Sequence, residues 1–542
     1  MSRLPDPIRE GLDRGWKVFG GSHAGARAWP STAMSCDVAI IGSGAGAGIT
    51  AELLTQAGLD VVLVEEGPLK SSSDFRQLES DAYPTLYQDS AARKTADQAI
   101  NILQGRCVGG STTVNWTSSF RTPEATLAYW QSEFGAGDDY RAEALAPWFE
   151  QAERRLNIGP WLAPPNENND LLRRGAAALG IPAAAIRRNV RGCWNLGSCG
   201  MGCPTNAKQS MLVTTIPAAL DRGARLLVET RAERLELRGD RIEALQCVAV
   251  EPDGQARDGP RLRIVAKHFV VAGGAINSPA LLMRSELPDP HQRLGRRTFL
   301  HPVVISAAHF DQKVEGWAGA PQTIYSDHFL ETQPIDGPIG YKLEAPPIHP
   351  VIFASTLPGI GPEMAEQLAA LPRTHVLLAL LRDGFHRESP GGQVRLRGDG
   401  SPVLDYPLTD FVMEGARRAL LSMAEIQFAA GAREVQPVHE RAHAYRSWAE
   451  ARQAIASLPM KPLMTRVVSA HVMGGCGLAG DASRGVVRPD GRHWQLENLS
   501  VHDGSVFPTS IGANPQLSIY GIVNRMATLL ARSLAGRAVQ LA

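Results

Sequence analysis

The sequence predicts an α/β protein organised around a parallel sheet, and three observations support this. An apolar run at 38–41 leads directly into a glycine-rich turn, Gly42-Ser43-Gly44-Ala45-Gly46. A segment with helical character follows at 49–56, and a second apolar run at 61–64 ends in the acid Glu65. Strand, glycine turn, helix, strand and acid is the order of a Rossmann-like dinucleotide-binding unit.

Each part of this unit has a physical role. Gly42 allows the tight turn, Gly44 lets the backbone approach a pyrophosphate, and Ala47 is small enough for close helix–strand packing. The pyrophosphate would lie on the free N–H groups at the helix start, and Glu65 would bind a ribose hydroxyl. The residues expected to contact the dinucleotide here are Gly42, Gly44, Ala45, Gly46 and Glu65.

The composition is that of a globular protein, and its net charge does not indicate a charged binding partner. The 542 residues include 55 Lys plus Arg and 55 Asp plus Glu, so bulk charge favours neither nucleic acid nor an anionic membrane. No apolar run is long enough to span a bilayer, and no apolar segment of a signal peptide follows the start. The expected location is the cytoplasm, or the periplasm if a partner subunit carries the export signal.

Periodicity predicts the remaining elements in order. Residues 1–35 are a lead-in, with a short helix at 10–18 that Gly20-Gly21 ends. Helices are predicted at 141–156, 169–179, 216–220 and 518–535, and strands at 226–229, 242–250 and 264–271.

A second glycine block lies at 105–115, Gly-Arg-Cys-Val-Gly-Gly-Ser-Thr-Thr-Val-Asn. The adjacent glycines Gly109 and Gly110, followed by hydroxyl residues, suit backbone packed against a flat ligand. A plain turn is the alternative for this block taken by itself.

With these blocks the chain resembles the glucose–methanol–choline (GMC) flavoprotein oxidoreductases over nearly its whole length. Two further blocks match in order: 274–282 with His301-Pro302, and 471–476 with 498–508 and Ala513-Asn514-Pro515. One departure is Ser-Glu-Leu-Pro at 285–288, where the family usually has Ser-Gly-x-Gly. The resemblance implies FAD, bound covalently or not.

The resemblance also implies the GMC architecture, an α/β fold in which an α+β substrate-binding domain is inserted into a discontinuous FAD-binding domain. The FAD-binding domain is expected at 36–122, 191–306 and 466–542, and the substrate-binding domain at 123–190 and 307–465. The block at 471–476 with Asn514-Pro515 is similar to those of cholesterol oxidases and long-chain alcohol oxidases. The block at 199–209 is similar to that of long-chain fatty alcohol oxidases, which favours lipophilic primary alcohols as substrates by analogy.

Family position assigns the catalytic residues. His471 would be the general base for the hydroxyl proton, and Asn514 would hold the alcohol oxygen so that the carbinol hydrogen faces flavin N5. His301 and His502 are interpreted as structural. The residues that the family blocks add to the expected FAD contacts are Gly105, Gly109, Gly110, Thr112, Asn115, Ala272, Asp503, Gly504, Asn514 and Pro515.

Three of the seven cysteines, Cys193, Cys199 and Cys203, fall within one short segment. Three thiolates on one loop can bind an iron–sulfur cluster, and the spacing is similar to that of FAD-dependent glucose dehydrogenases with a [3Fe–4S] cluster. Structural thiols, a disulfide with one thiol left over, and zinc are the alternatives.

A cluster would carry electrons from the flavin to a cytochrome or a quinone-linked partner, and relatives of this type work with a small accessory subunit. Taken together, these features predict an FAD-dependent alcohol dehydrogenase. The alternatives are an oxidase using oxygen, a sugar or sterol dehydrogenase, a non-redox FAD-containing lyase, and a non-catalytic flavin relay.

Overall fold

The structure, a computed structural model, describes residues 5–20, 27, 29 and 32–541. Its α-helices are α1 (Pro7–Asp13), α2 (Ala45–Gln56), α3 (Glu79–Leu86), α4 (Ser111–Val114), α5 (Glu124–Phe134), α6 (Ala142–Arg155), α7 (Glu167–Ala178), α8 (Thr215–Asp221), α9 (Asn277–Arg284), α10 (His328–Glu331), α11 (Pro350–Thr356), α12 (Pro362–Ala369), α13 (Asp410–Ala429), α14 (Trp448–Ser457) and α15 (Gln516–Ala535). Its strands are β1 (Lys17–Phe19), β2 (Ala33–Ile41), β3 (Val61–Val64), β4 (Ile100–Ile102), β5 (Ile158–Pro160), β6 (Ala184–Ala185), β7 (Arg187–Asn189), β8 (Arg225–Leu227), β9 (Thr230–Arg238), β10 (Arg241–Ala249), β11 (Leu262–Val271), β12 (Arg296–Phe299), β13 (Val303–His309), β14 (Ile324–Ser326), β15 (Tyr341–Glu344), β16 (Thr374–Leu381), β17 (Gly392–Leu396), β18 (Pro402–Asp405), β19 (Glu434–Pro437), β20 (Val467–Ser469), β21 (Met473–Gly474) and β22 (Leu499–Val501).

The first sheet contains the predicted dinucleotide-binding unit. Its strand order is β1-β8-β3-β2-β11-β10-β9, with β22 beside the end of β11. The central strands run parallel, and β9 and β10 form an antiparallel edge. Buried aliphatic residues fill β3 and the second half of β2 because both faces of these strands are covered. Helices α2 and α15 pack against each other beside this sheet.

The second sheet has the order β4-β20-β13-β16-β15-β14-β6, with β19 beside β13. Helix α13 packs on β13 and β16 and buries one apolar face against them. A smaller sheet, β18-β17-β12-β21, joins segments that lie far apart in the chain. The short connections β12–β13 and β20–β21 run between these two sheets, and both carry histidines discussed below.

The mixed α/β fold predicted from the sequence is confirmed, whereas the lead-in differs from the prediction. The helix expected at 10–18 is wrong in its bounds, since α1 spans Pro7–Asp13. It ends there because Gly15 adopts a φ of +97°, which is not helical. Residues of the expected helix form β1, which pairs with β8. Of the two glycines expected to end that helix, Gly20 is described and Gly21 lies outside the described residues.

Strand β9 was not expected, because its Arg and Glu residues hide its alternating buried positions. Within the described residues, the helices are all too short or too polar to cross a bilayer. The domain boundaries stay a prediction.

Candidate active site

The carboxyl ends of four parallel strands meet at one edge of the first sheet. Ile41 lies beside Val64 and Val271, and Val271 lies beside Val501. Ligands bind at this edge in open α/β sheets. The chain leaves these strands into the segments that hold the predicted residues Gly42, Glu65, Ala272 and Asp503.

The glycine turn after β2 leaves the start of α2 uncovered by side chains. Gly42 adopts φ of +105°, and a Cβ there would lie 2.3 Å from the carbonyl oxygen of Ala272. Gly44 caps α2 without any side-chain hydrogen bond to the helix start. Ala45 and Gly46 begin the helix, so their N–H groups face the space in front of it.

The second glycine block packs against the first. A Cβ on Gly110 would lie 2.9 Å from the Cα of Gly44, and one on Gly105 would lie 2.7 Å from the carbonyl carbon of Gly110. Gly109 instead faces Thr113 and the backbone of Leu212. The block is therefore closely packed backbone against the turn after β2. Its packing against a flat ligand stays a prediction.

These turns line one continuous cavity of about 1170 Å³. This volume exceeds the roughly 300–1,000 Å³ of ordinary small-molecule sites and suits an extended cofactor. Gly109 alone among the predicted cofactor and catalytic residues is absent from its lining. The predicted residues that line it are Gly42, Gly44, Ala45, Gly46, Glu65, Gly105, Gly110, Thr112, Asn115, Ala272, His471, Asp503, Gly504, Asn514 and Pro515.

Glu65 is held rigidly at the end of β3. Its carboxylate accepts hydrogen bonds from Ser43 Oγ at 2.5 Å and from the backbone N–H of Gly67 at 2.7 Å. Burial raises the pKa of Glu65 to about 7. Each carboxylate oxygen keeps further acceptor capacity, which a ribose hydroxyl can use.

Three predicted polar residues have their side chains fixed by hydrogen bonds. Asp503 accepts from the Gly274 N–H at 2.8 Å and from Ser278 Oγ at 2.5 Å. Thr112 donates to the carbonyl of Gly109 at 2.6 Å. Asn115 donates to Gln516 Oε1 at 2.6 Å. The cavity wall is therefore preorganised on several segments.

His471 follows β20 and lies against a second histidine. Its Nδ1 is 3.3 Å from Nδ1 of His301, and the two rings meet edge to face. Burial, and then the charge of Lys342, lowers the pKa of His471 to about 4, so this ring is neutral at physiological pH. Within the described residues its Nε2 has no hydrogen-bond partner, and the ring lines the cavity.

Asn514 lies beside a buried carboxylate. Its Nδ2 donates to Glu344 Oε2 at 3.2 Å, and Gln322 donates to the same oxygen at 2.8 Å. Asn514 Oδ1 and Glu344 Oε1 are buried and have no partner among the described residues. Burial, opposed by Lys342, raises the pKa of Glu344 to about 7. An unpartnered amide oxygen at a cavity wall is an acceptor available to a ligand.

Cys193, Cys199 and Cys203 lie away from the cavity lining on one loop. Among the described residues, no group of three or more His, Cys, Asp or Glu side chains is arranged to hold a metal. The iron–sulfur site at these three thiols stays a prediction from the sequence. The loop does contact the cofactor region, since Lys208 donates to the carbonyls of Asn115 at 2.6 Å and Cys199 at 2.7 Å.

Sequence reasoning did not anticipate two contacts at this site. His301, which was interpreted as structural, lies against His471, and its place in a family block as part of a His-Pro pair was the available signal. Glu344 is the last residue of the short strand β15, Tyr-Lys-Leu-Glu, and no local pattern distinguishes it. Glu344 reaches the site only because the fold brings β15 next to Asn514, which lies just before α15.

The comparisons with known proteins agree with this geometry. The GMC oxidoreductase N-terminal family model matches residues 83–303, and the C-terminal one matches 388–522. A GMC-type oxidoreductase of Sinorhizobium fredii is 30% identical over 91% of this chain and 94% of its own length. Long-chain-alcohol oxidase FAO1 of Arabidopsis thaliana is 28% identical over 92% of this chain and 67% of its own length.

Solved structures show the same fold. Formate oxidase of Aspergillus oryzae has a TM-score of 0.70 at 15% identity, covering 93% of this chain and 99% of its own. Pyridoxine 4-oxidase from Mesorbium loti has a TM-score of 0.67 at 20% identity, covering 93% and 100%. The glycine turns, the free helix start and the cavity fit FAD, the cofactor of this family. The chain therefore belongs to the GMC oxidoreductase family and is an FAD-dependent oxidoreductase acting on CH–OH groups.

Proposed function

We propose that the protein oxidises long-chain primary alcohols to aldehydes. The substrate class is supported by the similarity to plant long-chain-alcohol oxidases at 27–29% identity. The alcohol chemistry depends on one observation: two polar atoms at the cavity wall, His471 Nε2 and Asn514 Oδ1, have no protein partner among the described residues. A hydroxyl group needs one donor and one acceptor of this kind.

The cofactor would be held by the residues at the sheet edge. The start of α2 and Gly44 would receive the pyrophosphate, Glu65 the ribose, and Asp503 with the segment at 513–515 the rest of the molecule. Bound FAD supplies the hydride acceptor for oxidation of the carbinol carbon.

The alcohol oxygen would lie between His471 and Asn514. Both side chains are fixed by buried neighbours, which reduces the cost of orienting the substrate. Because the site around them is largely buried, a charge that develops on the oxygen is stabilised more strongly than in water. The assignment of His471 as general base stays a prediction from the sequence.

The electron acceptor is a separate part of the proposal. The sequence predicts a dehydrogenase with an iron–sulfur cluster, an accessory subunit and a cytochrome or quinone partner; the named plant relatives are oxidases. Arg188 and Lys208 give partial support to a cluster, because both are buried and neither forms a salt bridge with the described residues. Thiolates would compensate these cations. We assign no electron-transfer step to the loop, since no metal-holding group of His, Cys, Asp or Glu is found among the described residues.

The test is an anaerobic titration of the purified holoenzyme with dodecanol, followed in the visible flavin spectrum. Loss of the oxidised flavin band supports the proposal. An unchanged spectrum with dodecanol contradicts the substrate class, and titration with glucose and cholesterol then distinguishes a sugar or sterol dehydrogenase from a non-redox lyase. Re-oxidation in air, measured as hydrogen peroxide formed, separates an oxidase from a dehydrogenase.

A further inference from the structure

The two faces of the second sheet differ in what covers them. Helix α13 covers one face, where Ser306 Oγ donates to Gln427 of α13 at 2.6 Å. Because side chains alternate along a strand, the residues on either side of Ser306 lie on the opposite face. We call the apolar residues of β13, β16 and β20 on that opposite face the apolar strip. Its members are Val303, Ile305, Ala307, Val376, Leu378, Leu380 and Val468.

The apolar strip begins beside the proposed site of the alcohol oxygen. Val468 lies three residues before His471, on the strand from which the segment with His471 leaves. Leu378 pairs with Glu344, whose carboxylate accepts from Asn514 at 3.2 Å. A hydroxyl group between His471 and Asn514 therefore has the apolar side chains of the sheet next to it.

The strip then runs along β13 and β16, away from β20. Val303 pairs with Leu380 and Ala307 pairs with Val376, so the two strands stay in register over this stretch. Four residue steps of an extended strand, from Val303 to Ala307, span about 13 Å. This length is comparable to that of the extended hydrocarbon chain of dodecanol.

The strip is packed more loosely than the face under α13. Ile305 is 7% exposed and Val376 is 6% exposed, whereas Val304 and Leu377 on the α13 face are 1% and 0% exposed. Leu378 is more exposed than either of these strip neighbours. Because protein interiors normally pack without gaps, this residual exposure along the strip shows that its cover is incomplete.

Helices α11 and α12 form that cover. Phe353 and Leu357 at α11 and Leu368 of α12 belong to the same apolar cluster as the strip. All eight residues of α12 are described, and each keeps part of its surface exposed. The turn between the two helices contains Gly359 and Gly361, with φ of +100° and +62°. A chain that inserts beneath these helices therefore disrupts little packing, in contrast to one beneath α13.

We propose that the hydrocarbon chain of the alcohol lies along the apolar strip, between the sheet and helices α11 and α12, with its hydroxyl at His471 and Asn514 and its far end at Ala307. This inference rests on the proposed oxidation of long-chain alcohols and names the part of the protein that binds the chain. Each methylene group that moves from water onto the strip strengthens binding about fourfold. The strip therefore selects substrates by the length of the chain.

The first measurement compares chain lengths in the wild-type holoenzyme. Anaerobic flavin reduction is titrated with hexanol and with dodecanol, and the half-saturating concentration of each alcohol is determined. The longer chain should lower this concentration by at least about 10²-fold, because it buries further methylene groups on the strip. Equal half-saturating concentrations would overturn the inference.

Two variants alter the far end of the strip. Ala307→Leu fills it, and Val376→Thr nearly keeps its shape but places a hydroxyl group there. The ratio of the half-saturating concentration of dodecanol to that of hexanol should rise at least about tenfold in Ala307→Leu and about threefold or more in Val376→Thr. Because the threonine variant is nearly isosteric, it provides the test even if the larger side chain at 307 prevents folding.

Ala177→Leu is the matched control. It adds the same atoms at an exposed position of α7, which packs against α13 and so belongs to the other side of the sheet. The ratio for dodecanol and hexanol should stay at the wild-type value in this variant. A ratio raised equally by Ala177→Leu would indicate a general loss of packing and would overturn the inference.

The outcomes separate the chain site from the proposed function. A wild type that dodecanol reduces, with a ratio that neither Ala307→Leu nor Val376→Thr changes, keeps the proposed function and refutes the strip as the site of the chain. A wild type that neither alcohol reduces refutes the proposed function, and the chain site falls with it.

Discussion

The side-chain amide of Asn514 donates to Glu344 Oε2 at 3.2 Å, and this contact connects the cavity to a fully buried carboxylate. The hydrogen bond fixes which end of the amide faces outward, since Nδ2 points to Glu344 and leaves Oδ1 free. A carboxylate in this position affects both the stability of the fold and the chemistry of the site.

Glu344 should make stability depend on pH. Because burial raises its pKa from 4.5 to about 7, the folded protein retains a proton that the unfolded chain loses. The stabilisation is complete below pH 4.5 and is lost as pH rises to about 7, by about 3 kcal/mol in the free energy of unfolding. Urea unfolding of wild type and Glu344→Gln across this range should show the difference, and parallel curves would contradict it.

The same residue should control the pH dependence of activity. Flavin reduction by dodecanol should increase as pH rises through about 7, where Glu344 loses its proton. Lys342 and Asp327 are the charged groups that also act on it. Glu344→Gln keeps the size of the side chain but cannot ionise, so it should remove this pH dependence, which Glu344 exerts through its hydrogen bond to Asn514. A wild-type profile that is flat between pH 6 and 8 would exclude this role.

His471→Ala should lower the rate of alcohol oxidation by about 10²–10⁴-fold, the range for loss of a general base. FAD should remain bound, because the cofactor contacts lie on other segments of the cavity. The measurement is stopped-flow flavin reduction, with the FAD-to-protein absorbance ratio as the control. Near-normal turnover would remove His471 from the reaction.

The sequence predicted the parts of the site that local patterns encode. The turn after β2 could be identified because strand, glycine spacing and acid lie within one short segment. His471 and Asn514 were found through family blocks. The structure places both at the cavity, although their roles stay predictions.

The sequence could not show contacts between distant segments. His301 and His471 are 170 residues apart, and Glu344 and Asn514 are also 170 apart. No periodicity reports such pairings, so His301 was interpreted as structural and Glu344 was not noticed. The strand β9 was missed for a different reason, since an edge strand with charged outward residues carries a weak apolar signal.

The cysteine loop allows a compositional test. The iron–sulfur hypothesis expects iron and acid-labile sulfide in the purified protein, and both should be lost in Cys199→Ser. Cys36→Ser is the matched control, because Cys36 lies on β2, far from the loop in the chain. Wild-type protein without iron or sulfide would assign the loop a structural role.

Two glycines in the turn after β2 should behave differently when changed to alanine. A Cβ on Gly46 would lie 1.7 Å from the carbonyl oxygen of His502, so Gly46→Ala should destabilise even the FAD-free protein, by about 1–3 kcal/mol or more. A Cβ on Gly44 meets nothing closer than the Cα of Gly110 at 3.9 Å, and its φ of −73° suits alanine.

Gly44→Ala should therefore keep the melting temperature of the FAD-free protein but bind FAD more weakly, because its methyl group would occupy the space in front of α2 that the pyrophosphate needs. The comparison uses thermal melting of both FAD-free variants and FAD titration of each. Normal FAD affinity in Gly44→Ala would show that the cofactor does not approach this backbone. A stable FAD-free Gly46→Ala would instead show that the segment after β22 can move away from α2.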